Sequence, residues 1–346
     1  MENKVFDFTL NLDWNLLKIV SKIDRFDASW TSVEKKEKQS LKQLKNIATI
    51  RSVGASTRIE GSKMSNEEVK VLLDKIDITK IEDRDAQEVV GYFEVLDLIS
   101  ENHSEIDITE NNLKNLHNIL LKHSDKDQWH KGNYKQHSNA VEANLPDRTK
   151  HIIFQTTNAG YETEDAMRKL IKWYENDIET HPLVKFAVFS YEFVSIHPFQ
   201  DGNGRLSRLL ETLLLLKNGY NWIQYVSLEH EIESRKNEYY IELRKCQAER
   251  PNEDVTSWVN FFFDALMNIQ EQLMKKLETK GTKTRLSPRE KSILLFIENN
   301  AGTKSGNIAK KLNIPNPTVK RILTKLVNEN LIEKFGIGAG TNYAIQ

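Results

Sequence analysis

Twelve consecutive residues near the middle of the chain carry the side chains best suited to chemistry on phosphate. They read HPFQDGNGRLSR and occupy positions 197–208. Histidine has an ordinary pKa near neutrality, so His197 can accept a proton from a hydroxyl nucleophile. Asp201 offers one hard oxygen ligand, which suits Mg²⁺ because that ion takes one or two carboxylates and completes its shell with water and phosphate oxygens. The pair favours phosphoryl or nucleotidyl chemistry.

The second half of this motif predicts an anion site at the start of a helix. Gly202, Asn203 and Gly204 lead into an apolar helical pattern, so backbone N–H groups can approach phosphate oxygens where the helix dipole favours negative charge. Arg205 and Arg208 occupy neighbouring positions on that helix and can bind further phosphate. A lone histidine or a lone Gly-Asn-Gly is more often an ordinary capped turn. The histidine, the aspartate, the Gly-Asn-Gly turn and the two arginines in this order favour a functional site.

Helices are expected on both sides of the motif to hold it in place. The apolar spacing predicts helices over about 14–48, 65–100, 109–122, 162–178, 182–196, 229–248 and 252–279. Thr109 is expected to cap one of them, and Gly219 to end the helix that follows the motif. Between these helices, the turn residues 144–147 and the β-branched stretch 151–157 predict a short β-hairpin.

The last part of the chain differs from the rest in charge and pattern. Residues 281–346 hold 11 Lys and Arg against 4 Asp and Glu, a net +7, whereas the first 280 residues carry −8. We expect a linker at 280–284. Beyond it, the apolar spacing predicts helices over 288–299, 305–312 and 317–329, followed by a β-ribbon. This is the organisation of a winged helix-turn-helix.

Composition excludes several classes of protein. A length of 346 residues leaves room for two or three domains with cores of their own, so a disulfide-stapled peptide is excluded. The single cysteine, Cys246, excludes an internal disulfide and a cysteine-based metal cage, which favours a reducing compartment. The N-terminus lacks the pattern of a secretory signal, and no apolar run reaches the roughly 18 residues of a membrane span. We expect a cytoplasmic protein that does not bind membranes.

The motif HPFQDGNGR with Arg208 following resembles the signature HPFx[DE]GNGRxxR of the Fic (filamentation induced by cAMP) family. The resemblance implies a mainly α fold, with a Fic helical core over roughly 110–220 and a short β-hairpin flap. Here a small winged-helix domain follows. It also implies transfer of AMP from ATP to a hydroxyl side chain of a protein target, or of the chain itself. Some relatives carry lysine where Gly204 stands and act as kinases, so Gly204 favours nucleotidyl transfer.

The resemblance also assigns roles to individual residues. His197 would be the base that deprotonates the target hydroxyl, and Asp201 the ligand of Mg²⁺. The phosphate-binding residues would be Asn203 with the Gly202 and Gly204 backbone as an anion hole, Arg205, and Arg208 for the γ-phosphate. Catalysis would then rest on positioning and charge stabilisation during in-line attack on the α-phosphorus.

A second segment far upstream resembles the inhibitory motif of the same family. Ser56 to Gly61 reads STRIEG, which fits the family pattern [ST]xxxE[GN]; alone it would be a short helix ending in glycine with an exposed glutamate. Its position before the core resembles the class with an N-terminal inhibitory helix, here about 52–61. Glu60 would pair with Arg208, so that ATP binds in a non-productive pose. Whether the chain also removes AMP from a target is left open.

Two weaker assignments complete the site. Residues 132–135 and the hairpin 139–157 resemble the Fic flap, which pins a target segment by strand pairing. The sequence departs from the usual proline-containing form after Thr157. Tyr239 and Tyr240 form an aromatic pair of a kind that is more often core, and Tyr240 is kept only as a candidate contact of the adenine base.

The domains are expected at 1–108, an N-terminal helical region with the inhibitory helix, at 109–280, the Fic core and following helices, and at 281–346, the winged helix-turn-helix. Expected partners are ATP with Mg²⁺ and a protein with a Ser, Thr or Tyr hydroxyl; a homodimer is compatible with the resemblance. DNA and protein remain alternatives for 281–346, with Lys320, Arg321 and Lys325 on or beside the recognition helix. Two other functions stay open: a DNA-binding regulator with a Fic sensor core, and a transferase of UMP or phosphocholine.

Overall fold

The computed structural model describes residues 8–75, 81–144, 150–300, 302–329, 331–336 and 338–345. The chain divides into two compact units, residues 1–270 and 271–346. The helices of the first unit are α1 (Trp14–Lys36), α2 (Lys38–Ile59), α3 (Asn66–Leu73), α4 (Arg84–Asn102), α5 (Glu110–Leu120), α6 (Tyr161–Asn176), α7 (Pro182–Ile196), α8 (Asn203–Lys217), α9 (Leu228–Ser234), α10 (Lys236–Gln247) and α11 (Thr256–Arg285), the last of which runs on into the second unit. Short 3₁₀ turns occupy Asp125–Asp127 and Asn221–Tyr225.

Side-chain caps fix where several of these helices begin. Asp13 accepts from the Leu16 N–H at 2.7 Å and so starts α1. Ser65 forms a capping box with Glu68 at the start of α3. Thr109 accepts from the Asn112 N–H at 3.2 Å, which confirms the cap predicted for α5. Each cap satisfies a backbone donor that has no partner within its helix.

The core of the first unit is built around α7 and α8, which pack against each other. Both helices are buried on all faces; only Pro182 and Lys185 of α7 and Gly204 and Lys217 of α8 retain partial exposure. A helix that is buried on all sides lies at the centre of a domain, and this position explains the long apolar runs in the sequences of α7 and α8. The residues between the two helices therefore join two rigid elements, and these residues are the first half of the HPFQDGNGR motif.

A β-hairpin precedes α6. Strand β1 (Ala140–Asn144) pairs antiparallel with β2 (Lys150–Gln155), with Ala140 opposite Gln155 and a shift in register between Val141 and Glu142. The hairpin predicted from the β-branched stretch is thus confirmed in its backbone. The predicted turn at 144–147 falls mostly on residues outside the described part of the chain.

Several predicted helices differ from the observed ones. The stretch 14–48 is two helices that part at Glu37, and α2 continues through the STRI segment to Ile59. The stretches 65–100 and 229–248 also each hold two helices, in the second case parted at Arg235. The linker predicted at 280–284 is wrong, because α11 is helical to Arg285. One glycine costs a helix only about 1 kcal/mol, too little to end this one.

The second unit has the predicted winged-helix elements. Helices α12 (Pro288–Asn299), α13 (Ser305–Leu312) and α14 (Asn316–Asn328) precede the antiparallel strands β3 (Ile332–Phe335) and β4 (Asn342–Ile345). Buried apolar residues between positions 286 and 332 form one cluster, consisting of Leu286, Ile293, Leu294, Ile297, Ile308, Val319, Ile322, Leu323, Leu326, Leu331 and Ile332. Across the described ranges of the whole chain, no helix is long and apolar enough to cross a membrane.

Candidate active site

His197 ends α7 in the left-handed conformation, with φ 54° and ψ 60°. Its ring Nδ1 lies 3.3 Å from Val194 O. Because a carbonyl can only accept, this contact favours the tautomer that has its proton on Nδ1 and leaves Nε2 to accept one. Burial, and then the positive charge of Lys135, lower the pKa of His197 to about 4. The imidazole is therefore neutral at physiological pH, as a general base must be.

The loop after His197 is shaped by an asparagine. Asn203 is 1% exposed, and its side-chain amide exchanges two 2.8 Å hydrogen bonds with the backbone of Phe199. Gly202 has a φ of 81°, a region that glycine adopts without strain, and it forms the N-cap of α8. Hydrogen bonding along α8 begins with Leu206 N–H donating to Gly202 O at 2.9 Å. The first N–H groups of α8 are thus not used within the helix and face the N-terminal side, where an anion is favoured.

Asp201 lies in a cationic setting. Its Oδ1 accepts from the Gly202 N–H at 2.6 Å and lies 3.3 Å from an Arg205 nitrogen, and its Oδ2 accepts from Lys126 Nζ at 2.9 Å. Burial opposes ionisation, but the charges of Arg205 and Lys126 outweigh it and hold the pKa of Asp201 well below its usual range. The side chain retains 37% exposure, so this carboxylate is charged and accessible.

The donor set fits one kind of metal. Within the described ranges, no three His, Cys, Asp or Glu residues gather closely enough to hold a metal ion by themselves. The carboxylate of Asp201 is accessible and already binds the ammonium group of Lys126. A single carboxylate fits a cation that takes its remaining ligands from water and phosphate. That is the usual coordination of Mg²⁺.

Arg205 is 2% exposed and pairs with Glu88 at 3.3 Å as well as with Asp201. Its Nε makes no hydrogen bond to the part of the chain that the structure describes. A buried guanidinium donor without an acceptor is unusual, because such groups are normally satisfied. An anion bound at the start of α8 would supply this acceptor.

The segment that was predicted to be inhibitory lies at the end of α2 and contacts Arg208 directly. Arg208 is 1% exposed; its Nε donates to Ser56 Oγ at 2.8 Å, and its Nη2 donates to Ser56 O at 3.0 Å and to Glu60 Oε1 at 2.7 Å. Burial alone would raise the pKa of Glu60, but the charge and hydrogen bond of Arg208 outweigh it and hold that pKa below its ordinary value. Gly61 follows with a φ of 109° and ends the segment.

Glu60 also lies against the start of α8. A Cβ built on Gly204 would collide with Glu60 Oε1. The carboxylate therefore covers the backbone of the same glycine that was predicted to leave room for phosphates. Ser56, Glu60, Gly204 and Arg208 thus form one cluster, although Ser56 and Glu60, at the end of α2 and directly after it, lie about 150 positions upstream of Arg208.

The two tyrosines have different surroundings. Tyr239 is 3% exposed and packs against Trp258 and Phe261, so it belongs to the core. Tyr240 is half-buried; burial, and then the charge of Glu60, raise its pKa. The adenine contact suggested for Tyr240 remains a prediction.

Sequence reasoning missed His117, which supports the loop. Its Nε2 lies 2.9 Å from Asp201 O, its Nδ1 accepts from the Gly132 N–H at 2.9 Å, and its ring stacks on Phe199 with centroids 3.8 Å apart. Burial lowers the pKa of His117 to about 4, so it is neutral and its Nε2 carries the proton. Its place on the apolar face of α5, between Leu113 and Leu120, was the available signal.

A second missed group holds the end of α2. Arg58 donates to both carboxylate oxygens of Glu233, at 2.6 and 2.9 Å, and Lys236 Nζ donates to Ile59 O at 2.7 Å. Such a bidentate pair fixes orientation as well as distance. These contacts tie the end of α2 to α9 and α10.

Comparison with known protein families identifies two domains in the chain. Residues 107–215 match the family model described as Fic/DOC family, and residues 286–333 match that described as winged helix-turn-helix DNA-binding. The chain therefore contains a Fic domain followed by a winged helix-turn-helix domain, and the fold class expected from the sequence is confirmed.

Curated relatives are named as transferases. "Protein adenylyltransferase Fic" of Drosophila yakuba is 25% identical over 286 residues, which are 80% of this chain and 51% of that protein. "Protein adenylyltransferase fic-1" of Caenorhabditis elegans is 26% identical over 171 residues, 47% of this chain and 30% of that protein. The chain spans about half the length, or less, of the curated relatives it matches.

Solved structures support the fold. A Fic family protein from Desulfovibrio desulfuricans aligns with a TM-score of 0.65 at 23% identity, covering 99% of this chain and 98% of that one. A Fic domain containing signaling protein from Bacteroides thetaiotaomicron aligns with a TM-score of 0.59 at 22% identity, covering 74% of this chain and 96% of that one. At these identities the likeness shows a shared fold alone.

Proposed function

We propose that this chain is a protein adenylyltransferase that moves AMP from ATP to a hydroxyl side chain of a protein target or of itself, and that Glu60 inhibits it. One observation carries the proposal. Arg208, the cation that the resemblance assigns to the γ-phosphate, is bonded instead to Ser56 and Glu60 beside an otherwise complete motif. The adenylyltransferase names of the relatives support the choice of AMP as the group transferred.

The chain's own residues supply acid–base and electrostatic roles. The neutral Nε2 of His197 would take the proton of the target hydroxyl as its oxygen attacks the α-phosphorus. The N–H groups at the start of α8 and the free Nε of Arg205 would hold phosphate oxygens, and pyrophosphate would leave. Mg²⁺, held by Asp201, would neutralise phosphate charge. The contribution of Asn203 would be to hold the loop in shape, given its bonds to Phe199.

The inhibition follows from the position of one carboxylate. Glu60 forms an ion pair with the guanidinium of Arg208, and its carboxylate lies against the backbone of Gly204. A triphosphate would therefore meet a negative charge where its γ-phosphate should lie. Like charges at such a distance repel, and ATP is turned into a pose without in-line geometry. Loss of this carboxylate should therefore raise the rate of transfer.

Labelling with ATP tests both parts of the proposal. Glu60→Gly should increase auto-AMPylation from α-labelled ATP, and Glu60→Gln should increase it to a smaller extent because size is kept while charge is lost. Glu67→Gln, an exposed glutamate on α3, is the matched control and should behave as the unmodified chain. His197→Ala in the Glu60→Gly background should abolish the label. Equal labelling of Glu60→Gly and the unmodified chain would contradict the proposal that Glu60 inhibits transfer.

The same variants separate the other donors. Label from UTP or from a phosphocholine donor that depends on His197, without label from ATP, would replace AMP as the transferred group. Removal of AMP from a modified target is tested by incubating labelled Glu60→Gly protein with unlabelled wild-type chain. Release of AMP that requires Glu60 would establish the reverse activity.

DNA binding by the second unit is a separate candidate function. On α14, Lys320 and Arg321 are exposed and form no ion pair with the described residues. Lys325, by contrast, is held by Glu290 at 2.9 Å, so it is a weaker candidate for phosphate. We expect a salt-dependent mobility shift of the full chain on duplex DNA that is weakened in Lys320→Ala and Arg321→Ala. No shift at low salt would leave protein docking as the role of this unit.

A further inference from the structure

Lys135 carries a positive charge at the base of the flap hairpin, where it is 2% exposed. Its Nζ donates to Thr156 Oγ1 at 2.8 Å and to Asn139 Oδ1 and Ile196 O, both at 3.1 Å. Three acceptors use all the donors of an ammonium group. None of them is charged, and no carboxylate of the described ranges pairs with Lys135. A buried cation without a counter-ion is costly, so the stability of the fold does not explain it.

The three acceptors come from three places that the transfer reaction would need to keep together. Asn139 immediately precedes β1, and Thr156 immediately follows β2, so the two ends of the flap meet on one ammonium group. Ile196 is the residue before His197. The backbone N–H of Lys135 in turn donates to Pro198 O, the residue after His197, at 2.8 Å. Lys135 thus binds the carbonyls on both sides of the catalytic histidine.

His197 needs such support because its backbone is strained. A non-glycine residue at φ 54° is strained and persists only where its surroundings determine the conformation. Its own side chain bonds back to Val194 O, and the two neighbouring carbonyls are fixed by Lys135. A second hydrogen bond to Ile196 O, from Thr157 Oγ1 at 2.8 Å, again comes from the end of the flap.

We propose that Lys135 is a positioning residue for the transfer reaction: it holds His197 in its left-handed conformation and joins both ends of the flap to it. The base and the segment that would carry the target hydroxyl are thereby kept in one geometry. This inference rests on the proposed adenylyltransferase function. Nearby contacts of the same kind, such as Asn139 Nδ2 donating to Phe199 O at 3.1 Å, extend the connection into the loop.

The charge of Lys135 has a second effect. After burial, it is the main cause that lowers the pKa of His197, whereas Glu60 and Asp201 act in the opposite direction. Burial also lowers the pKa of Lys135 itself to about 8. Removing the charge should therefore raise the His197 pKa, and removing only the three-way contact should not.

Two variants and a matched control separate these effects. Lys135→Met keeps the length of the side chain and removes charge and donors, whereas Lys135→Arg keeps the charge but its planar group cannot reach three tetrahedrally placed acceptors. Lys114→Met is the control. The Nζ of Lys114 lies 4.1 Å from the ring centroid of Tyr134, the residue before Lys135, and Lys114 does not bond to the loop or the flap. Each is made in the full chain.

Hydrogen exchange and imidazole titration report on the proposal without any activity. In Lys135→Met the amides of 140–144 and 154–157 should exchange at least about tenfold faster, and the His197 resonance, assigned by its loss in His197→Ala, should titrate about one unit higher. Lys135→Arg should show the faster exchange alone. Lys114→Met should show neither change. Unaltered exchange in Lys135→Met, or equal acceleration in Lys114→Met, would overturn the proposal.

Activity supplies the last measurement. In the Glu60→Gly background, Lys135→Met should lower kcat for auto-AMPylation by about tenfold or more with little change in the KM for ATP, because the base and flap are misplaced while the phosphate site is intact. A rise in KM at unchanged kcat would contradict the role. If Glu60→Gly itself transfers no AMP, the proposed function fails, whereas exchange and titration still decide the role of Lys135.

Discussion

Gly204 and Glu60 lie so close that a methyl group on the first would overlap Oε1 of the second. Gly204 lies in the first turn of α8, whereas Glu60 is the residue directly after α2 and is held there by Arg208 at 2.7 Å. The absence of a side chain at position 204 is therefore a condition for the position that Glu60 occupies. This coupling can be measured in the unfolding free energies of variants.

Gly204→Ala should destabilise the chain more when Glu60 is present than when Glu60 is replaced by glycine. Alanine favours a helix over glycine by about 1 kcal/mol, a gain that appears only without the clash. We expect a coupling of roughly 1–3 kcal/mol in a double-mutant cycle measured by urea unfolding. Additive effects of the two substitutions would show that Glu60 is not held over Gly204 in solution.

Glu233→Gln should partly relieve the inhibition. Arg58 and Glu233 form a half-buried bidentate pair that orients the end of α2, and a loss of about 1 kcal/mol would raise the released population roughly fivefold. Auto-AMPylation should therefore lie between that of the unmodified chain and that of Glu60→Gly. Glu238→Gln, which breaks the exposed pair with Arg235, is the matched control and should change nothing. Equal rates of auto-AMPylation for Glu233→Gln and Glu238→Gln would show that the contact of Arg58 with Glu233 does not hold the end of α2 in place.

The phosphate-handling motif was predictable because it is continuous in sequence, and Thr109 because a cap acts within one turn of its own helix. The contact of Glu60 with Arg208 could be expected only through the family resemblance. Lys135 and His117 could not be assigned, since their partners lie 61 and 84 positions away, and nothing in a single sequence pairs distant residues. The predicted linker failed for the opposite reason: local composition suggested a break that one glycine is too weak to cause.

Lys126→Ala should make the site bind Mg²⁺ more readily. Lys126 occupies Asp201 Oδ2 at 2.9 Å with 44% of its side chain exposed, so the pair is worth about 0.2–1 kcal/mol. The Mg²⁺ concentration for half-maximal binding of a fluorescent ATP analogue to Glu60→Gly protein should fall by roughly one and a half to fivefold. Lys131→Ala, from the same segment but bonded to Gln128, serves as the control. A higher Mg²⁺ requirement would mean that Lys126 itself contributes to phosphate binding.

Glu211 should make the chain less stable as the pH rises. It lies one helical turn after Arg208, fully buried, and burial raises its pKa to about 8 despite hydrogen bonds from Ser190 and Ser207. Between the unfolded value of 4.5 and about 8, the native state holds a proton that the unfolded state has lost. Stability contributed by this group is therefore present below pH 4.5 and is lost as the pH approaches 8.

Glu211→Gln removes this titration at nearly constant volume. The difference in unfolding free energy between Glu211→Gln and the unmodified chain should shift in favour of the variant by about 3–4 kcal/mol from pH 5 to pH 8. Glu229→Gln is the comparison, a carboxyl that is also buried and accepts from the Tyr92 hydroxyl at 3.0 Å. A difference for Glu211→Gln that stays constant across this range would mean that Glu211 is ionised in the native chain. Its carboxylate would then add to the negative charge beside Arg208 and strengthen the hold on that guanidinium, which would place part of the inhibition on α8 itself.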